Sequence, residues 1–238
     1  LIFEKNLSSL KKNRESVQKN KFDAIVIGSG ISGGWAAKEL CEAGLKTILL
    51  ERGRDVKHAE DYPTAMKDPW EFKHGNRIPK RETNPIVSKC YAYDAGTEHF
   101  FVKDEKHPYV QEKPFDWIRG YQVGGKSLIW ARQTQRWSQY EFDAPKRDNY
   151  AVEWPISYQD LAPYYTQVEK FVGISGNKDG IPSLPDGYFL KPWELNCVEK
   201  HVQSRVKDFY KGERHVIIGR CAHLTSPEPQ HIEQGRGK

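Results

Sequence analysis

The segment Gly28-Ser29-Gly30-Ile31-Ser32-Gly33 has the spacing G-x-G-x-x-G, and each glycine has a chemical consequence. Gly28 permits a tight turn, Gly30 lets a diphosphate approach the backbone with no Cβ in the way, and Gly33 lets a following helix pack closely on the preceding strand. A helix starting here, with Ser32 in its first turn, would turn unpaired N–H groups toward phosphate oxygens. Glu51 lies 23 positions after Gly28, near the ~20-residue offset at which a carboxylate meets ribose hydroxyls. That charge would repel a 2′-phosphate, which disfavours NADP. FAD and NAD both stay open on these residues alone.

Such a constellation needs a strand before it, a helix after it and a second strand to carry the acid. The run Phe22-Asp23-Ala24-Ile25-Val26-Ile27 predicts a parallel strand buried on both faces. Beyond Gly34, the apolar residues Ala36, Ala37, Leu40 and Cys41 recur at helical spacing until Gly44. Thr47-Ile48-Leu49-Leu50 then predicts the second strand, ending at Glu51-Arg52-Gly53. Residues 22–53 thus form a βαβ unit of ordinary size.

Residues 54–115 are charged and rich in proline and aromatics, without sustained periodicity, and predict a long insertion with short strands that serves as a lid or binding loop. A glycine-hinged loop follows at 120–130. Further on, Ser157 and Asp160 form a capping-box pattern before Leu161, Tyr164, Tyr165, Val168, Phe171 and Val172, a helical face that ends at Gly173. Pro163 suggests that the first turn of this helix stands apart. A further helix is expected over 194–210, with Leu195, Val198, Val202, Val206 and Phe209 on one side, leading to a short strand Val216-Ile217-Ile218.

Composition narrows the function classes. The formal charge is +5, but residues 1–21 hold +4 of it through Lys5, Lys11, Lys12, Arg14, Lys19 and Lys21 against Glu4 and Glu15, which reads as a solvated basic tail. The remainder lacks the clustered cations of a nucleic-acid groove, so no nucleic acid is expected as partner. With 12% aromatic residues the chain can bury a core. No apolar run reaches the ~20 residues of a membrane span, and no signal-peptide pattern is visible, which favours a cytoplasmic protein while secretion stays open. Cys41, Cys90, Cys197 and Cys221 stand far apart and read as buried free thiols in a reducing compartment. No metal site is expected.

At Glu51-Arg52-Gly53 and again at Gly124-Gly125-Lys126-Ser127-Leu128-Ile129-Trp130, the chain resembles the glucose-methanol-choline (GMC) family of FAD-dependent oxidoreductases. The resemblance covers about Phe22 to Gly219 and includes Trp154 to Gly176, which is similar to a helix of the bacterial sugar-dehydrogenase branch. It implies that Gly28, Gly30, Ser32, Gly33, Glu51 and Arg52 serve the ADP half of FAD. It implies in turn that Gly124, Gly125, Ser127, Leu128 and Trp130 serve the flavin half. Two residues depart from the family pattern. Trp130 stands where many members have Asn or His, as in pyranose-oxidase-like members, and Tyr121 stands at a commonly basic position. Those pyranose-oxidase-like members often carry a flavin-linking His just before the Trp; Ile129 occupies that place, so FAD is expected to be non-covalent there.

The fold expected from the resemblance is α/β, a Rossmann-like FAD-binding domain with long insertions and the start of a second, substrate domain. Its parts would be a tail over 1–21, an FAD-binding domain over 22–150 and an incomplete helical and loop segment over 151–238. The implied activity is oxidation of a CH–OH group of a small alcohol or sugar by hydride transfer to flavin, by a protein that forms oligomers as one option. The family's catalytic His, paired with His or Asn, lies further along a longer chain, so no catalytic residue is assigned and the chain looks cut off. His58, His74, His99, His107, His201, His215, His223 and His231 fit no such motif and read as solvated or hydrogen-bonded structural residues. The electron acceptor is left unassigned. Two alternatives remain: an NAD-dependent Rossmann dehydrogenase, and a non-catalytic domain or assembly subunit that retains the fold.

Overall fold

Aliphatic residues at Ala24–Ile27 and Thr47–Leu50 pair as parallel strands β1 and β2 in the computed structural model of the protein, which describes residues 21–77, 82 and 84–237. The register runs from Ala24 opposite Thr47 to Ile27 opposite Leu50. Helix α1, Ile31–Glu42, makes the connection. It ends as the sequence predicts. Gly44 adopts φ +83°, and the Leu45 N–H reaches back to the Leu40 carbonyl at 3.1 Å, an arrangement that satisfies carbonyls of the last turn. The basic tail falls outside the described residues except for Lys21.

Burial of β1 differs from expectation. Val26 is buried, but Ile25 and Ile27 are 66% and 85% exposed. Alternation along the strand puts Val26 on the face that α1 covers, and a Cβ at Gly33 would lie 3.4 Å from the Val26 side chain. The other face, which carries Ile25 and Ile27, has no covering layer among the described residues.

The chain divides into two compact units, Leu1–Trp130 and Ala131–Lys238. In the first, the insertion after β2 is not a chain of short strands. Its described residues form 3-10 turns at Pro69–Glu71, Lys73–Asn76, Val87–Lys89 and Glu98–Phe100. A hydrophobic core sits inside it. Val87, Tyr93 and Phe101 are buried together, with Ile118 and Ile129 packed against them. The Asp104 carboxylate fastens this core by accepting from the N–H groups of Ile86 at 2.9 Å and Val87 at 3.0 Å. The insertion therefore has a packed interior of its own, and Ile129 anchors the second glycine loop to it.

The second unit is helical. It contains α2 (Gln139–Phe142), α3 (Ala144–Arg147), α4 (Tyr158–Val172), α5 (Cys197–Phe209) and α6 (Pro229–Glu233). α4 begins as predicted, with the Ser157 N–H donating to Asp160 at 2.8 Å, and is continuous through Pro163. Tyr164, expected on the packed face, is exposed, while Glu169 is buried there. That carboxylate accepts two bonds from Arg136, at 2.7 Å from Nε and 2.6 Å from Nη2, and one from the Tyr188 N–H at 2.8 Å. α5 starts at Cys197 rather than 194 because Asn196 and Glu199 form its capping box. Its Val198, Val202 and Phe209 are exposed. Val216–Ile218 is not a strand. The Val216 carbonyl accepts from the Gln203 side chain at 2.7 Å instead of from a neighbouring strand. The four cysteines are free, but Cys41 and Cys197 are exposed and none is buried. No described helix is long and apolar enough to cross a membrane.

Candidate functional site

At the C-terminal end of β1 the chain turns through Gly28 at φ +90°, and the Gly28 N–H donates to the Leu50 carbonyl at 2.7 Å. Only a residue without a Cβ takes this conformation without strain. Gly33 has a different reason. A Cβ there would lie 1.9 Å from the Gly28 carbonyl oxygen, so close packing of α1 on the turn depends on glycine. Gly30, the N-cap of α1, has nothing within 4 Å of where its Cβ would stand. Among the described residues no side chain caps α1, and no acidic residue occupies its first turn, where Ser32 is exposed. The helix start is open and carries the partial positive charge of uncapped N–H groups.

Glu51, just past β2, is turned onto this loop. Its Oε2 accepts from the Ser29 N–H at 2.8 Å and the Ser29 hydroxyl at 2.7 Å, and its Oε1 accepts from the Gly53 N–H at 2.7 Å. The Ser29 hydroxyl, the Ser29 and Gly53 amides and the Arg52 amide stabilise the charged form and hold this carboxyl down at about 2. Glu51 is therefore ionised at neutral pH.

The second glycine loop arrives at the same place. Backbone pairing between Arg54 and Gln122 lays it beside the end of β2, with the Val123 N–H donating to the Arg54 carbonyl at 2.9 Å. Gly124 and Gly125 both have positive φ, +87° and +55°, and open a 3-10 turn over Gly125–Ile129. The Gly124 N–H donates to the Ser29 hydroxyl at 3.0 Å, and a Cβ at Gly125 would stand 3.3 Å from the Gly30 Cα. Gly28, Gly30, Gly33, Glu51, Gly124 and Gly125 thus meet in one locus.

The remaining assigned residues are peripheral. The Ser127 hydroxyl closes its own turn by donating to the Gly124 carbonyl at 2.7 Å. Leu128 is half-buried and Trp130 is exposed. Arg52 is exposed and stacks its guanidinium 3.8 Å above the Tyr121 ring.

Three residues escaped the sequence argument. Ser29 fills a variable place in the motif yet bonds to Glu51 and Gly124 together. Gly53 is required because a Cβ would lie 2.1 Å from the Gln122 nitrogen. Gln122 is buried and braces the second loop from its side-chain amide to the Gly125 carbonyl at 3.0 Å. A hydroxyl between two motif glycines and a glycine two residues after the acid were the signals available for the first two.

No family model matches the chain. Several curated proteins are similar to it. It is 29% identical over 170 residues to 2-methyl-1,2-propanediol dehydrogenase of Mycolicibacterium austroafricanum, a match covering 69% of this chain and 26% of that protein. It is 29% identical over 169 residues to gluconate 2-dehydrogenase flavoprotein of Pantoea cypripedii, covering 66% and 26%. It is 26% identical over 219 residues to the fructose dehydrogenase large subunit of Gluconobacter japonicus, covering 87% and 36%. These similarities agree with the resemblance to the GMC-type FAD oxidoreductases. The chain spans about a quarter to a third of the length of these three relatives.

The locus fits the cofactor of the GMC family on its own geometry. An uncapped helix start beside an open Gly30 suits a diphosphate, and an ionised carboxylate at the end of β2 suits hydroxyl donors.

Proposed function

We propose that this chain is the FAD-binding part of an oxidoreductase that acts on CH–OH groups of a sugar or polyol, with a Rossmann-like α/β cofactor domain and the beginning of a substrate domain. The observation that carries the reading is the junction at Ser29, where the diphosphate-type loop, the acid after β2 and the second glycine loop converge. A nicotinamide dehydrogenase has no use for that second loop. When bound, FAD supplies the redox chemistry by accepting a hydride from the carbinol carbon.

The chain's own residues bind and orient. Amides at the start of α1 hold the diphosphate, and Gly30 lets it come close. Glu51 accepts from ribose hydroxyls while its bonds to Ser29 and Gly53 fix its rotamer. Gly125 and Ser127 shape the loop toward the flavin, with Leu128 and Trp130 beyond them. Ile129 is an alkane side chain with no nucleophile, so the flavin is held non-covalently at this position.

No catalytic base is assigned among the described histidines. His231, for example, is buried as a structural residue, its Nδ1 accepting from the Glu228 N–H at 3.0 Å and its Nε2 lying 2.8 Å from the Lys170 carbonyl. The test is an assay of the flavin-loaded full-length protein with sugars and polyols and an artificial electron acceptor. Substrate-dependent acceptor reduction is expected. Reduction that instead requires NAD and proceeds without flavin would overturn the reading.

A further inference from the structure

A cleft of about 410 Å³ lies in the first unit behind the Arg54–Gln122 pairing, lined by Arg54, His99, Lys103, Lys106 and His107 together with the apolar stretch Phe100–Val102. Its volume is within the ~300 to 1,000 Å³ of small-molecule sites. No aspartate or glutamate is among its described lining residues. Lys103 is engaged by Glu98 and by the Tyr93 hydroxyl. Arg54 donates to the neutral His99 carbonyl at 3.3 Å, and among the described residues no carboxylate pairs with Arg54 or Lys106. Positive charge in this concavity therefore lacks an internal counterpart.

His99 is one of the lining residues, and its Nε2 is buried with no hydrogen-bond partner among the described residues. The ring lies against Phe100, 4.0 Å between centroids. A buried ring nitrogen left unpaired is unfavourable, and a ligand that pairs it relieves that cost. Burial first, and then the charges of Arg54 and Lys103 against the opposing Glu98, keep the imidazole neutral below its usual range. The frame is firm. Arg119, itself buried, donates to the His107 carbonyl at 2.6 Å and the Tyr121 hydroxyl at 3.1 Å.

We propose that this cleft is a binding site for a small oxyanion, a carboxylate or a phosphate, with His99 Nε2–H as the buried donor and Arg54 and Lys106 as the countercharge. An oxyanion supplies both of the things the cleft lacks, an acceptor for the orphaned nitrogen and negative charge beside two unmatched cations. The cleft shares Gln122 with the brace of the second glycine loop, and its existence does not rest on the flavin reading.

Isothermal titration of the full-length protein, with and without FAD, tests it using inorganic phosphate, acetate and citrate at constant ionic strength in chloride. One saturable site is expected in both forms. Charge-assisted contacts of this kind predict that His99→Phe weakens binding by about tenfold and Lys106→Gln by roughly three- to tenfold. Lys57→Gln, an exposed lysine elsewhere, should leave it unchanged. Nitrogen-15 spectra of His99 should also show its titration midpoint rising when the preferred anion is added, because negative charge then joins Glu98 against Arg54 and Lys103. Preference for phosphate over the two carboxylates, or the reverse, supports the site and identifies its source. Absence of saturable binding overturns the proposal, as does binding indifferent to Lys106→Gln. Loss of phosphate binding on flavin loading also overturns it, because the cleft would then belong to the cofactor.

Discussion

The Ser29 hydroxyl donates to Glu51 Oε2 at 2.7 Å while its oxygen accepts from the Gly124 N–H at 3.0 Å. One side chain thereby ties together segments separated by 22 and 95 residues. Removing it should loosen the second glycine loop without disturbing β1 or α1. Ser29→Ala is expected to weaken FAD affinity by about 1 to 3 kcal/mol, since a charged acceptor and a backbone donor both lose a partner. Fluorescence titration of the apoprotein measures this. An affinity equal to wild type would show that the junction is incidental.

Gly30 and Gly33 separate cofactor binding from folding. At Gly30 a Cβ meets open space and the backbone angles suit any residue, so Gly30→Val should leave the apoprotein's unfolding midpoint near wild type and abolish measurable FAD binding. At Gly33 a Cβ would meet the Gly28 carbonyl at 1.9 Å, so Gly33→Ala should cost about 1 to 3 kcal/mol of stability as the helix is forced away from the turn. Denaturant unfolding and FAD titration of both variants decide the matter. A Gly30 variant that binds FAD normally would remove the diphosphate assignment.

The pH dependence of Glu51 has a defined sign. Its folded carboxyl is held at about 2 against an ordinary 4.5. A carboxylate depressed by folding contributes stability that is fully present above its unfolded value and is lost as pH falls toward its folded value. The difference in stability between wild type and Glu51→Gln should therefore be constant from neutral pH down to about 5 and should shrink between there and about 2. A difference that grows on acidification would contradict the hydrogen-bonding account.

The second unit depends on a buried ion pair. Both Arg136 and Glu169 are buried, and Glu169 also accepts from the Tyr188 amide. Glu169→Gln leaves the guanidinium without its countercharge, which should cost about 3 to 5 kcal/mol in denaturant unfolding. A cost below 1 kcal/mol would mean that solvent reaches the pair.

The βαβ unit was legible because strand and helix write different periods into the sequence, and Gly28, Gly30, Gly33 and Glu51 stand at fixed places in it. The insertion was not legible as a packed body. Val87, Tyr93 and Phe101 are brought together by 3-10 turns that leave no period behind, and the bonds from Asp104 to Ile86 and Val87 join residues with no pattern in common. Val216–Ile218 has strand composition, but strand formation needs a neighbour and Gln203 takes the carbonyl instead. β1 has the composition of a doubly covered strand, whereas exposure of Ile25 and Ile27 is set by what packs on the sheet, which no local pattern records. Ser29 was overlooked because its importance lies in contacts to Glu51 and Gly124, neither of them near it in sequence.

Two glycine loops joined at Ser29 are proposed to form one non-covalent FAD cradle. The most direct measurement is the absorbance spectrum of the purified full-length protein before and after acid precipitation, followed by titration of the apoprotein with FAD and NAD. A yellow protein with flavin absorbance, colour released to the supernatant by acid, and saturable binding of FAD in preference to NAD are expected. A colourless protein whose apo form binds NAD and not FAD would contradict the cradle.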